Sequence, residues 1–580
     1  MKQNLQTITT PFPAGLMSSA RNPATMGNNY ARELLNLYTS RGGAGAKRNG
    51  FSPVVTGCPA SITCLMPYMN STGALQILAA ASDGKIYLLN AGIWTEVYTG
   101  LNTQGKMRWV QFAGKLILCN GLDPVLSWDG TNISIVKQWV ADIAPGLTFV
   151  NATTVQINSS LELYPVGKPL RLRLGVGNYV YTTVAGASVL SGVVTITLNT
   201  SVATAALDEL AYEMQPPTFQ YIYAAHDRLW GLGEGVLKAN SFSASEERTT
   251  VFYTAGTNDE TAWYDNEGLL PFINLADKMP VADELLGMAV KDGITSFFGR
   301  NSIQLWSGDV PGVDGNFVWQ KNIPVGVVHA DLICEMPADV AFFTRYGART
   351  LSRVLQTEQL DIGDLGAEIA PSISSAMSSL TASDTSYMSA YSCRYERQGW
   401  FAFHVAGKCF VFQATSNGAG WTEFDGLFSE ATAFMNAPDG KLYLAKDTTL
   451  YCYDEASFSD DEAPIAVRWW TPWFVNGANR WANKYLELIT ESDANTVFNV
   501  KRFKNYDGAN AVTYNLETPG KGDYWDTAYW DNTDWDMGSV RPGYIRDGFI
   551  GDAYAYIFEN ISSYGPIQVL GMRMHGKEER

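Results

Sequence analysis

The chain has 580 residues, 46% of them hydrophobic and 12% aromatic, with only 17% charged. That is the composition of a folded protein of several domains, and it excludes a disordered or low-complexity chain. The formal charge of −17 excludes a protein that wraps DNA over its whole surface, because phosphate contacts need clustered Lys and Arg.

The charge is unevenly spread: residues 1–50 hold six Lys/Arg against one Asp/Glu, a local +5 that leaves −22 for the rest. The opening "MKQNLQTITTPFPAG" lacks the apolar core of a signal peptide. No apolar run approaches the roughly 18 residues of a membrane span. Synthesis in the cytoplasm without Sec export is expected, with no stable membrane insertion. The next segment, "NNYARELLNLYTS" (28–40), reads as a short helix capped by Asn28 or Asn29, with Tyr30, Leu34, Leu37 and Tyr38 as its apolar stripe. It leads into "RGGAGAKRNGF" (41–51), a Gly-rich loop carrying Arg41, Lys47 and Arg48. Glycines let a backbone approach a partner closely, so these three cations form a candidate docking loop, with a solvated turn as the plainer alternative. Residues 1–52 are taken as one N-terminal unit.

From about residue 60 the pattern is apolar run, tight Gly- or Asp-containing turn, apolar run. It occurs at "LAAASDGKIYLL" (78–89), "VQFAGKLILCNG" (110–121), "YAAHDRLWGLGE" (223–234) and "MAVKDGITSFFGRNSIQLW" (288–306). It continues at "EMPADVAFFTRYGARTL" (335–351), "RYERQGWFAFHVAGKCFVF" (394–412) and "FMNAPDGKLYLAKDTTLYCY" (434–453). Such turns join antiparallel strands. Their repetition predicts a mainly β chain built on a β-propeller of six or seven blades, over residues 53–145 and 217–462. Two phrases recur near the ends: "DGKIYLL" (83–89) with "DGKLYLA" (439–445), and "IWTEV" (93–97) with "GWTEF" (420–424). They suggest matching hairpins and outer strands in blades that meet where the ring closes, by pairing of elements before about residue 100 and after about residue 400.

Between the second and third hairpins, residues 146–216 alternate with period two and predict an inserted barrel or sandwich, an independent lobe. In it Arg171 and Arg173 face away from the leucines beside them and mark a candidate exposed face. Residues 463–580 read as a C-terminal β-rich platform domain. Its run "YWDTAYWDNTDWD" (524–536) sets Trp525, Trp530 and Trp535 five residues apart, a spacing of neither strand nor helix, and marks a candidate aromatic edge. A carbohydrate-stacking ladder is the sharper alternative.

Catalytic signatures are missing. Four scattered histidines make no HExxH, the seven cysteines make no CxxC, and there is no GxSxG elbow. "GMRMHGKE" (571–578) imitates a phosphate-binding loop but has Glu578 where Ser or Thr must bind magnesium. No cofactor, metal or enzymatic activity is expected, and the cysteines read as free, buried thiols.

Taken together, three features resemble the tail nozzle proteins of short-tailed bacteriophages, the packaged-DNA stabilisation or tail tubular protein B group. These are the "ARELLNLYTS"–Gly-rich loop–"KRNGF" opening, the interrupted propeller, and the ending "YWDTAYWDNTDWDMGS … PIQVLGMRM". The resemblance implies a structural virion protein: a homohexameric tube below the head-to-tail adaptor and portal. It would meet tail fibre or spike proteins and pass double-stranded DNA without reading its sequence. An acidic wall suits that role because it repels phosphate. A receptor-binding tail spike or adhesin, and a propeller glycosidase or lyase, are the alternatives.

Overall fold

The structure, a computed structural model, describes residues 5–579 apart from 15, 41, 71, 203–206, 234–248, 280–282, 313–314, 337–338, 345–346, 358–364, 379–389, 396, 416–417, 476–479 and 521–539. It is mainly β. Among the described residues no helix is long and apolar enough to cross a membrane.

The seven hairpins read from the sequence fall in seven different sheets, antiparallel but for single parallel contacts of Glu33–Leu35 with Gly418–Phe424 and of Ser459–Asp460 with Gly50–Val55. Four sheets are four-stranded in simple chain order, at residues 62–99, 108–135, 221–274 and 285–323; a three-stranded one follows at 333–350. Local chemistry makes the turns. Ala113-Gly114, His226-Asp227, Asp292-Gly293 and Ala406-Gly407 all have positive φ at both positions, the geometry that matches strand twist in a two-residue hairpin. The first strands of successive sheets lie side by side. Ile62–Met69 is next to Arg108–Phe112, then come Tyr221–Ala225 and Leu285–Lys291. Gly287 of the last of these packs on Ile333, where a Cβ would come within 2.4 Å of Cδ1. Ile333–Glu335 adjoins Tyr391–Tyr395, which adjoins Ala433–Asn436, and that strand lies against Ile62–Met69.

The two chain ends are woven together. The sheet of Ala433–Asn436, Leu442–Lys446 and Thr449–Asp454 takes its next strand from Gly50–Val55, with Phe51 opposite Tyr453. Glu33–Leu35 runs between Gly418–Phe424 and Val467–Trp470. Gln6–Pro11 and Gly45–Lys47 both pair with Ile567–Glu579. One core unites these layers, from Phe12, Leu34 and Leu37 to Trp421, Trp469, Tyr556 and Met574.

Several expectations change. The helix expected at 28–40 is two short strands, Glu33–Leu35 and Leu37–Thr39, with Asn36 at φ 54 between them. Pairing on both sides of Glu33–Leu35 overrides the helical spacing of its leucines, as tertiary context commonly does. Residues 1–52 are therefore no separate unit but strands of the C-terminal sheets and of the sheet at 433–454. The two "DGK" turns also differ in place. The one at 83–85 joins the second and third strands of its sheet, the one at 439–441 the first and second. An Asp-Gly turn serves any tight hairpin and carries no register. "IWTEV" and "GWTEF" do both lie on the fourth strands of their hairpin runs.

The inserted segment forms a seven-stranded sheet from Gln138–Ala141 to Glu209–Met214, so it starts before residue 146. A bulge between Val184 and Gly186 folds the long strand Tyr179–Leu190 over. Leu170 and Leu172 from one half then share a core with Val194 and Ile196 from the other. That core runs on into Phe112, Ile117, Phe219 and Phe252 of the flanking sheets, so the insertion is not an independent lobe. Gln138 stitches it further, exchanging hydrogen bonds with the Tyr264 backbone at 2.8 and 2.9 Å.

Gly50 tests the weave, since a Cβ there would stand 1.8 Å from the Ser459 carbonyl oxygen. Gly50→Ala is expected to destabilise the chain by about 1–3 kcal/mol through backbone displacement. Gly508→Ala, which meets open space, should stay within about 0.5 kcal/mol. Urea unfolding followed by circular dichroism compares the two.

Candidate functional site: an axial cavity and a buried arginine hub

A cavity of about 260 Å³ opens where the first strands converge. Lys106 and Arg108 line it from one side, Asp331 from another, with Tyr223, Tyr391 and Phe434 between them. Arg108 opens the strand Arg108–Phe112 and Lys106 lies two residues ahead of it, and both side chains reach Asp331. Asp331 sits in the tight turn Ala330–Leu332, where His329 accepts the Asp331 N–H on Nδ1 at 3.2 Å.

The charges interlock. Asp331 Oδ2 receives Lys106 Nζ at 2.9 Å, and Arg108 donates to both carboxylate oxygens, at 3.2 and 3.0 Å. Lys106 also donates to the Ala390 carbonyl at 2.7 Å and lies 4.0 Å from the Tyr391 ring centre. Arg108 donates to the Gln220 carbonyl at 3.3 Å and lies over Tyr221 at 4.4 Å. Burial alone would lift the Asp331 pKa, but Arg108 and Lys106 overcome it and hold the carboxyl well below its usual range. Burial pulls the Lys106 ammonium down against the pull of Asp331, with Arg108 helping. Burial, with Lys106 and Arg108 nearby, drops His329 to about 3, so it is neutral near pH 7. The thiols of Cys64 and Cys119 are pushed up to about 12 by burial. The cysteines are free, and all but the half-buried Cys452 are buried. No group of three or more metal-ligating side chains occurs among the described residues.

The candidate docking loop is where structure and sequence part. Arg41 lies outside the described residues. Lys47 and Arg48 are 1% and 0% exposed, so they cannot meet a docking partner. Lys47 Nζ donates to the Ser563 carbonyl at 2.6 Å, and burial, with Arg48 beside it, lowers its pKa to about 8. Arg48 grips Asp460 with both terminal nitrogens and donates to Asn36 Oδ1 at 2.8 Å and to the carbonyls of Asn49 and Asp425 at 3.0 and 2.7 Å. Burial opposes its charge, yet Asp460 raises the pKa above the ordinary value. Lys47 closes the strand Gly45–Lys47 and Arg48 follows it, so both lie in packed structure and not in a surface loop.

Arg171 and Arg173 stand on the opposite sheet face from the fully buried Leu170 and Leu172. Arg171 donates to Glu209 at 2.7 Å, and Arg173 pairs with the same carboxylate at 3.4 Å. Trp525, Trp530 and Trp535 lie outside the described residues. The sequence reading missed Lys106, Arg108 and Asp331. The available signal was "GKMRW" (105–109), two cations at alternate positions ahead of an apolar strand.

No protein-family model matches this chain, and no characterised protein matches it by sequence. Among solved structures, YCF48 from Cyanidioschyzon merolae overlaps 70% of this chain and 98% of its own at 9% identity, with a TM-score of 0.33. The WD40 β-propeller domain of Doa1 overlaps 70% and 97% at 9% identity, TM-score 0.24. An exo-β-1,3-galactanase from Phanerochaete chrysosporium overlaps 61% and 94% at 8% identity, TM-score 0.23. Overlaps this loose carry no argument about family or activity.

Two outcomes follow. Arg48→Met should cost about 3–5 kcal/mol, because it leaves Asp460 buried without its partner; urea unfolding measures it. The second concerns acid. His329 takes a proton near 6.5 when unfolded but only near 3 when folded. Between those values the unfolded state binds more protons, so stability falls as pH drops, by up to about 1.4 kcal/mol per pH unit. His329→Gln should flatten the urea midpoint against pH between 6 and 4.

Proposed function

We propose that the chain is a structural virion protein, the subunit of a tail nozzle in a short-tailed bacteriophage. In this reading the seven sheets are the blades of one propeller, closed by Gly50–Val55, with the interwoven chain ends as its platform. The observation that carries the reading is that weave: the first and last segments share sheets and one core, so the ring cannot open without unravelling both ends. A conduit wall that contains packaged DNA under pressure needs such a lock.

Six copies form the tube below the head-to-tail adaptor and portal, tail fibre or spike proteins attach outside, and double-stranded DNA passes within. The formal charge of −17 on each copy favours sliding over gripping. A glycosidase or lyase in the axial cavity has less support. Glycoside hydrolysis uses two carboxyl groups, one of them protonated. Among the described residues Asp331 is the one carboxylate lining the cavity, and Lys106 and Arg108 hold it ionised.

Electron microscopy and sedimentation of the purified chain test the assembly. A six-fold ring of six 63.6 kDa copies is expected, located in the tail when virions are labelled with an antibody to the chain. A monomer that cleaves surface glycans, or an elongated trimer that binds them, would overturn the reading.

A further inference from the structure

The axial cavity holds more buried positive charge than negative. Among the described residues Lys106 and Arg108 face Asp331 alone, and His329 contributes no charge near pH 7 because its Nδ1 accepts the Asp331 N–H in a buried turn. The next cation outward, Arg300, is matched by Glu284 at 2.9 Å. With Lys106 protonated, the charged groups lining the cavity among the described residues therefore sum to +1. Buried charges ordinarily occur in compensated sets, because an uncompensated ion loses its hydration without replacement.

Donor capacity is left over as well. An ammonium has three N–H bonds and a guanidinium five. Lys106 uses two, on Asp331 and the Ala390 carbonyl; Arg108 uses three, on the two Asp331 oxygens and the Gln220 carbonyl. Both side chains line the 260 Å³ cavity, and both are held in place, Lys106 against the Tyr391 ring and Arg108 against the Tyr221 ring. Tyr391 is itself fixed, since its hydroxyl donates to the Thr63 carbonyl at 3.2 Å and to that of Thr432. Such fixed donors lower the cost of ordering a ligand.

We propose that the axial cavity is a binding site for one small oxyanion, held jointly by Lys106 and Arg108, whose charge completes the set that Asp331 half fills. Phosphate and carboxylate ions share that chemistry. The site is independent of the nozzle reading, since it asks nothing of assembly or DNA.

Isothermal titration calorimetry on the full-length protein, in chloride buffer of constant ionic strength, uses inorganic phosphate in one series and acetate in another. Saturable one-to-one binding of at least one of them is expected, and whichever binds more tightly identifies the source. Lys106→Met should weaken it roughly tenfold or more, the effect of losing one charge-assisted contact. Lys106→Arg should retain it. Asp331→Asn should tighten it, because the competing carboxylate is gone; a purely structural triad predicts no such gain. If the variants do not fold, the wild-type melting temperature should rise with phosphate or acetate beyond an equal chloride control, as binding to the folded state alone requires. Absence of saturable binding to both anions, or a folded Lys106→Met that binds as well as wild type, would overturn the proposal.

Discussion

The guanidinium of Arg48 has no water to turn to, so each of its five N–H bonds must find a partner inside the protein. It finds them on Asn36, Asn49, Asp425 and Asp460, two from the first fifty residues and two from beyond residue 420. Asn36, itself in a left-handed conformation, donates to the Ala466 carbonyl at 2.7 Å and accepts from the Asp425 N–H at 3.0 Å. One charge thus sets the distance between the chain's beginning and its later third. Everything else in the weave follows from that placement. Glu33–Leu35 is delivered between two strands just before the hub, and Gly50–Val55 enters the last small sheet just after it.

A second buried pair works the same way in the C-terminal layers. Arg502 meets Asp547, whose other oxygen accepts from the Tyr556 hydroxyl at 2.7 Å. Both pairs are matched one to one and sit where strands from distant parts of the chain must be held in register. The cavity cluster differs in that, among the described residues, its cations outnumber its carboxylate and it borders open space.

How far the sequence could be read depends on how local each signal is. The hairpins were legible because their turns state their own geometry: Asp292-Gly293 needs no distant residue to adopt positive φ. The alternation in Leu170–Arg173 was equally local, and it separates core leucines from outward arginines. The helix at 28–40 failed because Leu34 of the helical stripe lies in a strand whose two partners are some 390 and 430 residues away. Arg48 was misread for a related reason. A cation among glycines looks exposed until Asp460 is known to be opposite it. The axial triad was illegible because Asp331 is joined to Lys106 and Arg108 only through the order in which sheets follow one another.

The weave also has a meaning in time. Gln6–Pro11 leaves the ribosome about 560 residues ahead of its partner Ile567–Glu579. At elongation rates of about 5–20 residues per second, the early strand waits roughly half a minute to two minutes for it. During that interval Gln6–Pro11, Glu33–Leu35 and Gly50–Val55 present unpaired backbone edges, the kind of surface that recruits foreign strands. The small sheets between can form as they emerge, since each is a local meander. Final locking therefore waits on one strand, and a nascent chain cut short before Ile567–Glu579 holds finished sheets with unfilled edges.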